Sequence, residues 1–196
     1  MHVEHTEHSY WYFAYGANMS ADVFKERRSM RPTDRAVGRL DGYSIAFNQP
    51  GIPLLEPGFA NLRPDSNGVV HGVLWKISEQ DFARLDLQEG GGDAYDRLRV
   101  RVATVAGRIT ARTYITQAVV EGLKPSRRYR DLLVRGAEDA GLDEAYTAAL
   151  RRVAVHELPG LSSLSPHIMR LFERAFEKGL NPKPLFDFYW NRRRQR

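Results

Sequence analysis

From residue 97 to residue 102 the chain alternates Arg97, Arg99 and Arg101 with Leu98, Val100 and Val102. Successive side chains of a strand point to opposite faces, so this period of two describes a β-strand with one wet face and one buried face. Such a strand needs a partner. After the turn Ala106-Gly107-Arg108, the segment RITARTYIT (108–116) supplies it as the second arm of an antiparallel hairpin. Three more segments carry β character: the aromatic run SYWYFAYG (9–16), the stretch 36–49 with a break at Gly42, and GVVHGVLWKI (68–77). Residues 51–68, with Pro53, Pro57 and Pro64, read as loop, with a brief strand at GFANL.

The helical signals are inserted between these strands or follow them. Ser20 is placed to cap a short helix with Phe24 inward, and Ser78 with Asp81 forms a pair of the capping-box type for a helix through residue 89. That helix has to stop at Gly90-Gly91-Gly92, where three glycines carry a heavy backbone-entropy cost. From Pro125 the period changes: Tyr129, Leu132, Leu133 and Gly136 share a helical face, Pro125 suits the first turn and Gly141 the end. Asp143 is placed to cap a further helix through Arg152. Ser165-Pro166 opens another, with Ile168, Leu171, Phe172, Ala175 and Phe176 inward. Strands first and helices last argue for an α+β fold over a doubly wound sheet.

A chain of 196 residues fits one domain with a terminal extension. The expected division is a domain over 9–155 and an extension over 156–196 that packs on it and ends in a basic tail. The formal charge of +5 reduces to near balance once Arg192, Arg193, Arg194 and Arg196 are set aside, so no nucleic-acid partner is expected. No apolar run reaches the roughly 20 residues of a membrane span. The first residues lack a secretory pattern, so a cytoplasmic location is the default expectation. With no cysteine, thiolate nucleophiles and thiolate metal sites are excluded. His2, His5, His8, His71, His156 and His167 form no convincing metal set, and the chain has no G-x-S-x-G, P-loop or H-E-x-x-H pattern.

Two stretches could carry chemistry. In LDLQEGGGDAY, Glu89 falls in the last turn of a helix, where unpaired carbonyls make the dipole end negative. Repulsion there and desolvation in a pocket both favour the protonated acid, lifting the pKa from about 4.3 toward the range of a general base. The three glycines leave open space beside it. The same residues also describe a solvated helix end followed by a flexible loop. In YGAN, Gly16 can take backbone angles closed to other residues, so that N–H groups from Gly16 to Asn18 converge on an anion. Asn18 could equally cap the helix that follows.

Together these stretches resemble the γ-glutamylcyclotransferase family, the AIG2-like group. The resemblance rests on Tyr12-Phe13-Ala14-Tyr15-Gly16-Ala17-Asn18, then Gly72-Val73-Leu74-Trp75-Lys76-Ile77, then Leu85-Asp86-Leu87-Gln88-Glu89-Gly90. It continues through Tyr95, Arg112-Thr113-Tyr114 and the PSRRY segment ending at Tyr129, and covers about residues 10 to 150. It implies a compact mixed β-barrel with flanking helices and a cofactor-free, metal-free reaction on a small γ-glutamyl substrate. In that reaction the substrate's α-amine attacks its own γ-carbonyl and releases 5-oxoproline. The implied acid/base is Glu89, the implied binding loop is Tyr15, Gly16, Ala17 and Asn18, and Tyr95, Tyr114 and Tyr129 are implied pocket residues. For each tyrosine a plain core role stays open.

Ala17 stands where the family usually has serine, which removes a hydroxyl but leaves the backbone donors. The extension has no counterpart in the matched motifs; covering the pocket, forming a homodimer contact and choosing the leaving group are roles open to it. Three other readings stand beside the enzyme: a noncatalytic small-ligand module of the same fold, a related amide-cleaving or acyl-transfer enzyme acting on a γ-glutamylated natural-product intermediate, and an RNA-associated protein using the arginine tail.

Overall fold

The computed structural model describes residues 8–53, 55–88 and 95–157. Five strands, β1 (Ser9–Ala14), β2 (Asp34–Ile52), β3 (Glu56–Ser78), β4 (Asp96–Thr104) and β5 (Gly107–Ile115), close into a barrel in the order β1-β3-β2-β4-β5. All neighbours are antiparallel except β1 and β5, which run parallel and join at Tyr12 and Arg112. Helix α1 (Glu79–Gln88) leads from β3 toward β4, and α2 (Arg127–Ala140) and α3 (Glu144–Arg151) follow the barrel. The expected α+β barrel with flanking helices is therefore the observed architecture.

The hairpin of β4 and β5 has the register that the alternation demands, with Val100 opposite Ala111 and Val102 opposite Ile109. Val100 and Val102 are buried, whereas Arg99 and Arg101 face out. The break at Gly42 is a register shift inside one long strand, where a positive φ of 84° accommodates the irregularity. Residues 56–68, expected to be mostly loop, belong to β3. Among the described residues β1 pairs with β3 only at 73–78, so β2 is the one strand laddered to the 56–64 arm and its prolines break no ladder to a second strand. Asn61 ties that arm to the end of β5 with two bonds, its Nδ2 donating to the Thr116 carbonyl at 3.0 Å and its Oδ1 accepting the Thr116 N–H at 3.0 Å.

The expected first helix is a 3₁₀ turn, Ala17–Met19, followed by a π-helical turn, Asp22–Arg27, in which Phe24 is fully buried. Phe24 lies in an aromatic stack between Tyr12 (5.7 Å between centroids) and Trp75 (5.1 Å). At α1, Ser78 Oγ accepts the Asp81 N–H at 3.1 Å as a cap should. The capping box is only half made, because the Asp81 carboxylate turns instead to the Arg31 N–H at 2.8 Å and to Arg84 at 3.0 Å. At α2 the cap is Ser126, one residue after Pro125, and Gly141 ends the helix with a φ of 71°. Asp143 caps α3 through the Tyr146 N–H at 2.8 Å. The helices expected beyond residue 157 and the boundary of the extension lie outside the described residues.

Gly136 lets α2 approach the 3₁₀ turn: a Cβ there would stand 3.0 Å from the Ser20 nitrogen and 3.4 Å from the Met19 Cβ. Tyr146 of α3 packs its ring 4.9 Å from that of His71. Burial is the main influence that holds the His71 imidazole below its ordinary value of 6.5, with Arg39 pushing the same way and Asp143 and Asp41 opposing.

Two outcomes follow. Gly136→Leu should lose about 1–3 kcal/mol of stability in urea unfolding, as overpacking does; an unchanged midpoint would mean that α2 and the turn are not in close contact. Because the folded state binds the His71 proton less readily than the unfolded chain, stability is full above pH 6.5 and falls as the pH drops below it. In His71→Phe, which keeps a ring against Tyr146, the stability difference between pH 7.5 and pH 5.5 should shrink.

Candidate active site

A cavity of about 180 Å³ opens where the end of β1 meets the 56–60 arm of β3 and the start of α2. Its wall contains Tyr15, Gly16, Ala17, Asn18, Tyr95, Tyr114 and Tyr129, so the structure brings together every candidate residue that falls within the described part. Glu89 and Gly90-Gly91-Gly92 lie outside the described residues. Among the described residues, Tyr12, Arg28, Gln49, Phe59 and Ala60 also line it and were not among the sequence candidates.

The turn at Gly16 heads the site. Gly16 has a φ of −113° and a ψ of −144°, outside the ordinary helical and extended regions and not left-handed. Space beside it is tight, since a Cβ would lie 3.3 Å from the Tyr129 hydroxyl. The first bond inside the 3₁₀ turn is that of the Met19 N–H to the Gly16 carbonyl at 3.0 Å. The N–H groups of Ala17 and Asn18 come before it, at the end where a helical turn has no internal acceptors for its donors. Asn18 is not a cap: its Nδ2 donates to the Tyr12 hydroxyl at 3.0 Å, and its carbonyl accepts the Trp75 Nε1–H at 2.9 Å.

Each tyrosine is oriented by a defined partner. The Tyr15 hydroxyl donates to the Tyr114 carbonyl at 2.6 Å, and the Tyr129 hydroxyl accepts the Ala60 N–H at 3.3 Å. Gln49 Nε2 donates to the Tyr95 hydroxyl. The Tyr114 hydroxyl donates to Asp86 Oδ1 at 2.6 Å, and Arg97 grips the same carboxylate with Nε at 2.9 Å and Nη2 at 2.6 Å.

Asp86 lies on α1, so this network fastens that helix to the cavity wall. A second tie runs from the last residue of α1: Arg28 Nη1 donates to Gln88 Oε1 at 3.4 Å, and Gln88 Nε2 donates to the Arg28 carbonyl at 3.3 Å. The chain continues from Gln88 directly into Glu89. In chemical terms the wall offers backbone N–H groups, phenolic hydroxyls and a guanidinium around a small volume, a set suited to carbonyl and carboxylate oxygens.

Arg28 had no sequence signal, since it stands in a run of charged residues. Phe59 and Ala60 lay in the proline-rich stretch read as mostly loop, and Gln49, at the end of a β segment, belonged to no motif. Tyr12 could have been found from its place in the same motif as Tyr15. Among the described residues, no three of His, Cys, Asp and Glu gather into a group able to hold a metal, and no helix is long and apolar enough to cross a membrane.

Residues 69–150 match the model of a family described as AIG2-like. Gamma-glutamyl cyclotransferase gliK of Claviceps purpurea is 33% identical over 150 residues, covering 71% of this chain and 68% of the relative. The human gamma-glutamylcyclotransferase is 32% identical over 162 residues, covering 79% of this chain and 84% of the relative. A solved gamma-glutamyl cyclotransferase structure superposes with a TM-score of 0.70 at 29% identity, covering 78% of this chain and 92% of that one.

The bond from Trp75 to the Asn18 carbonyl is the tie whose loss should be easiest to read. Trp75→Phe keeps a ring in the stack but strands a buried acceptor, and should lower stability by about 1–3 kcal/mol in denaturant unfolding. An unchanged midpoint would show that the turn is held by other means.

Proposed function

This chain belongs to the γ-glutamylcyclotransferase family, the AIG2-like group, and from that premise we propose that it cleaves a γ-glutamyl amide to 5-oxoproline and an amine or amino acid. The observation that carries the proposal is the cavity itself: the turn at Gly16 to Asn18 shares its wall with oriented tyrosines, and the helix that precedes Glu89 in the chain is tied to Tyr114 and Arg28 of the lining.

The reaction needs little beyond folding one molecule onto itself. The α-ammonium gives a proton to the Glu89 carboxylate, and the amine nitrogen then attacks the γ-carbonyl carbon, forming the C–N bond that closes a five-membered ring. The carbonyl oxygen gains negative charge, and the N–H groups of Ala17 and Asn18 would meet it. Glu89 returns the proton to the leaving nitrogen as the original amide C–N bond breaks, and the ring nitrogen passes its second proton to the released amine, which departs as an ammonium ion. One carboxyl group of raised pKa can serve both transfers. Since nucleophile and electrophile share a molecule, holding them in line contributes up to ~7 to 11 kcal/mol of the barrier at the limit. In this reading Arg28 and the hydroxyls of Tyr95, Tyr114 and Tyr129 bind the polar groups of the glutamyl unit.

The test is a panel of γ-glutamyl amino acids, γ-glutamyl amines, glutathione and bulkier γ-glutamyl amides, followed by the release of 5-oxoproline. At least one should be cleaved. Glu89→Gln should cut kcat by ~10² or more, the scale of a lost general acid/base, with unchanged circular dichroism. Silence of the wild-type protein across the panel would favour a ligand-binding module; full activity of the Gln variant would remove Glu89 from the mechanism.

A further inference from the structure

We propose that Glu56 is a positioning residue that sets the place of the Tyr129 hydroxyl in the cavity, acting through Ser126 and Arg128. Its kinetic consequence rests on the function proposed above; its structural consequence does not.

Glu56 opens β3 and is 1% exposed, yet it is not part of the cavity lining. Burying a carboxylate in a barrel wall is costly, and a buried ion pair seldom adds net stability over an apolar replacement. What this one provides is geometry. Arg128 holds it in a fork, with Nε 3.0 Å from Oε1 and Nη2 2.6 Å from Oε2, and Ser126 Oγ donates to Oε1 at 2.6 Å.

A serine hydroxyl has one proton to give. Spending it on Glu56 turns the oxygen lone pairs of Ser126 toward the first turn of α2, where Oγ accepts the Tyr129 N–H at 3.0 Å. Four residues further along β3, the Ala60 N–H meets the Tyr129 hydroxyl at 3.3 Å. Phe59, between them, sets its ring at 80° to that of Tyr129 with centroids 4.9 Å apart. The segment 56–60 therefore grips Tyr129 at its backbone, its ring and its hydroxyl. The tolerance for error is small, because the same hydroxyl sits where a Cβ on residue 16 would lie only 3.3 Å away.

Glu56→Gln keeps the size of the side chain but removes the charge facing Arg128. In protein carrying ¹³C at the phenolic carbon of tyrosine, with Tyr129 assigned from Tyr129→Phe, the Tyr129 resonance should move in Glu56→Gln while those of Tyr10 and Tyr43 stay. An unmoved Tyr129 resonance overturns the proposal, whether or not any substrate is turned over. On a γ-glutamyl amide that the wild type cleaves, Glu56→Gln should cost roughly tenfold in kcat/KM, and less than about twofold when Tyr129 is already phenylalanine.

Equal losses in the two backgrounds would mean that Glu56 only supports the fold, and would also overturn the proposal. If the wild type cleaves nothing on the panel, the functional reading fails and the resonance alone decides. Should Glu56→Gln not fold, Ser126→Ala interrupts the same link with the ion pair intact, and is expected to move the Tyr129 resonance in the same way.

Discussion

The indole N–H of Trp75 reaches across from β3 to the carbonyl of Asn18, and the arrangement of the cavity depends on that reach. The 3₁₀ turn it anchors is three residues long, too short to hold itself together in water. The surroundings supply the constraint: Trp75 from the barrel, Phe24 stacked between Trp75 and Tyr12, and Gly136 of α2 closing over Met19 and Ser20. A loop built from small residues thereby becomes a rigid edge, which is what a binding surface made of backbone N–H groups requires.

The opposite side of the site is organised by a carboxylate. Asp86 takes the Tyr114 hydroxyl and both nitrogens of the Arg97 fork, joining α1, β4 and β5 in one network. Arg97 has 59% of its side chain exposed, so the ion pair itself adds little stability. Its effect is to fix the rotation of α1 about its own axis, as the bonds between Gln88 and Arg28 fix its end. Glu56 repeats the arrangement at the start of α2, with Arg128 and Ser126 as its partners. Both helices that border the site are thus referenced to the barrel through an acid that accepts from an arginine and from a hydroxyl.

Much of this was legible in the residues. The alternation of Arg97 to Val102 announced β4, because a strand with one wet face can be written in few other ways. Ser78, Asp143 and Gly141 marked helix ends through local chemistry that operates in any fold. The family motifs placed seven of the cavity residues in advance. The arm from Glu56 to Pro64 was not legible, since its prolines are tolerated where, among the described residues, β3 is laddered to β2 alone, a fact of topology that no local pattern carries. The close approach of the Tyr129 hydroxyl to Gly16 was not legible either, since the two residues are 113 positions apart in the chain. Arg28, Gln49 and Ala60 share no motif, and only the folded barrel brings them to one wall.

The account stands or falls on whether the turn at residues 16–18 binds the glutamyl unit. The most direct measurement is a titration of ¹⁵N-labelled protein with 5-oxoproline, followed at the backbone amides. The account predicts saturable shifts concentrated at Gly16, Ala17 and Asn18, weakened in Trp75→Phe. Shifts confined to the separate cavity lined by His71 and Leu142, or no saturable shift at the turn while the protein turns over a γ-glutamyl amide, would contradict it.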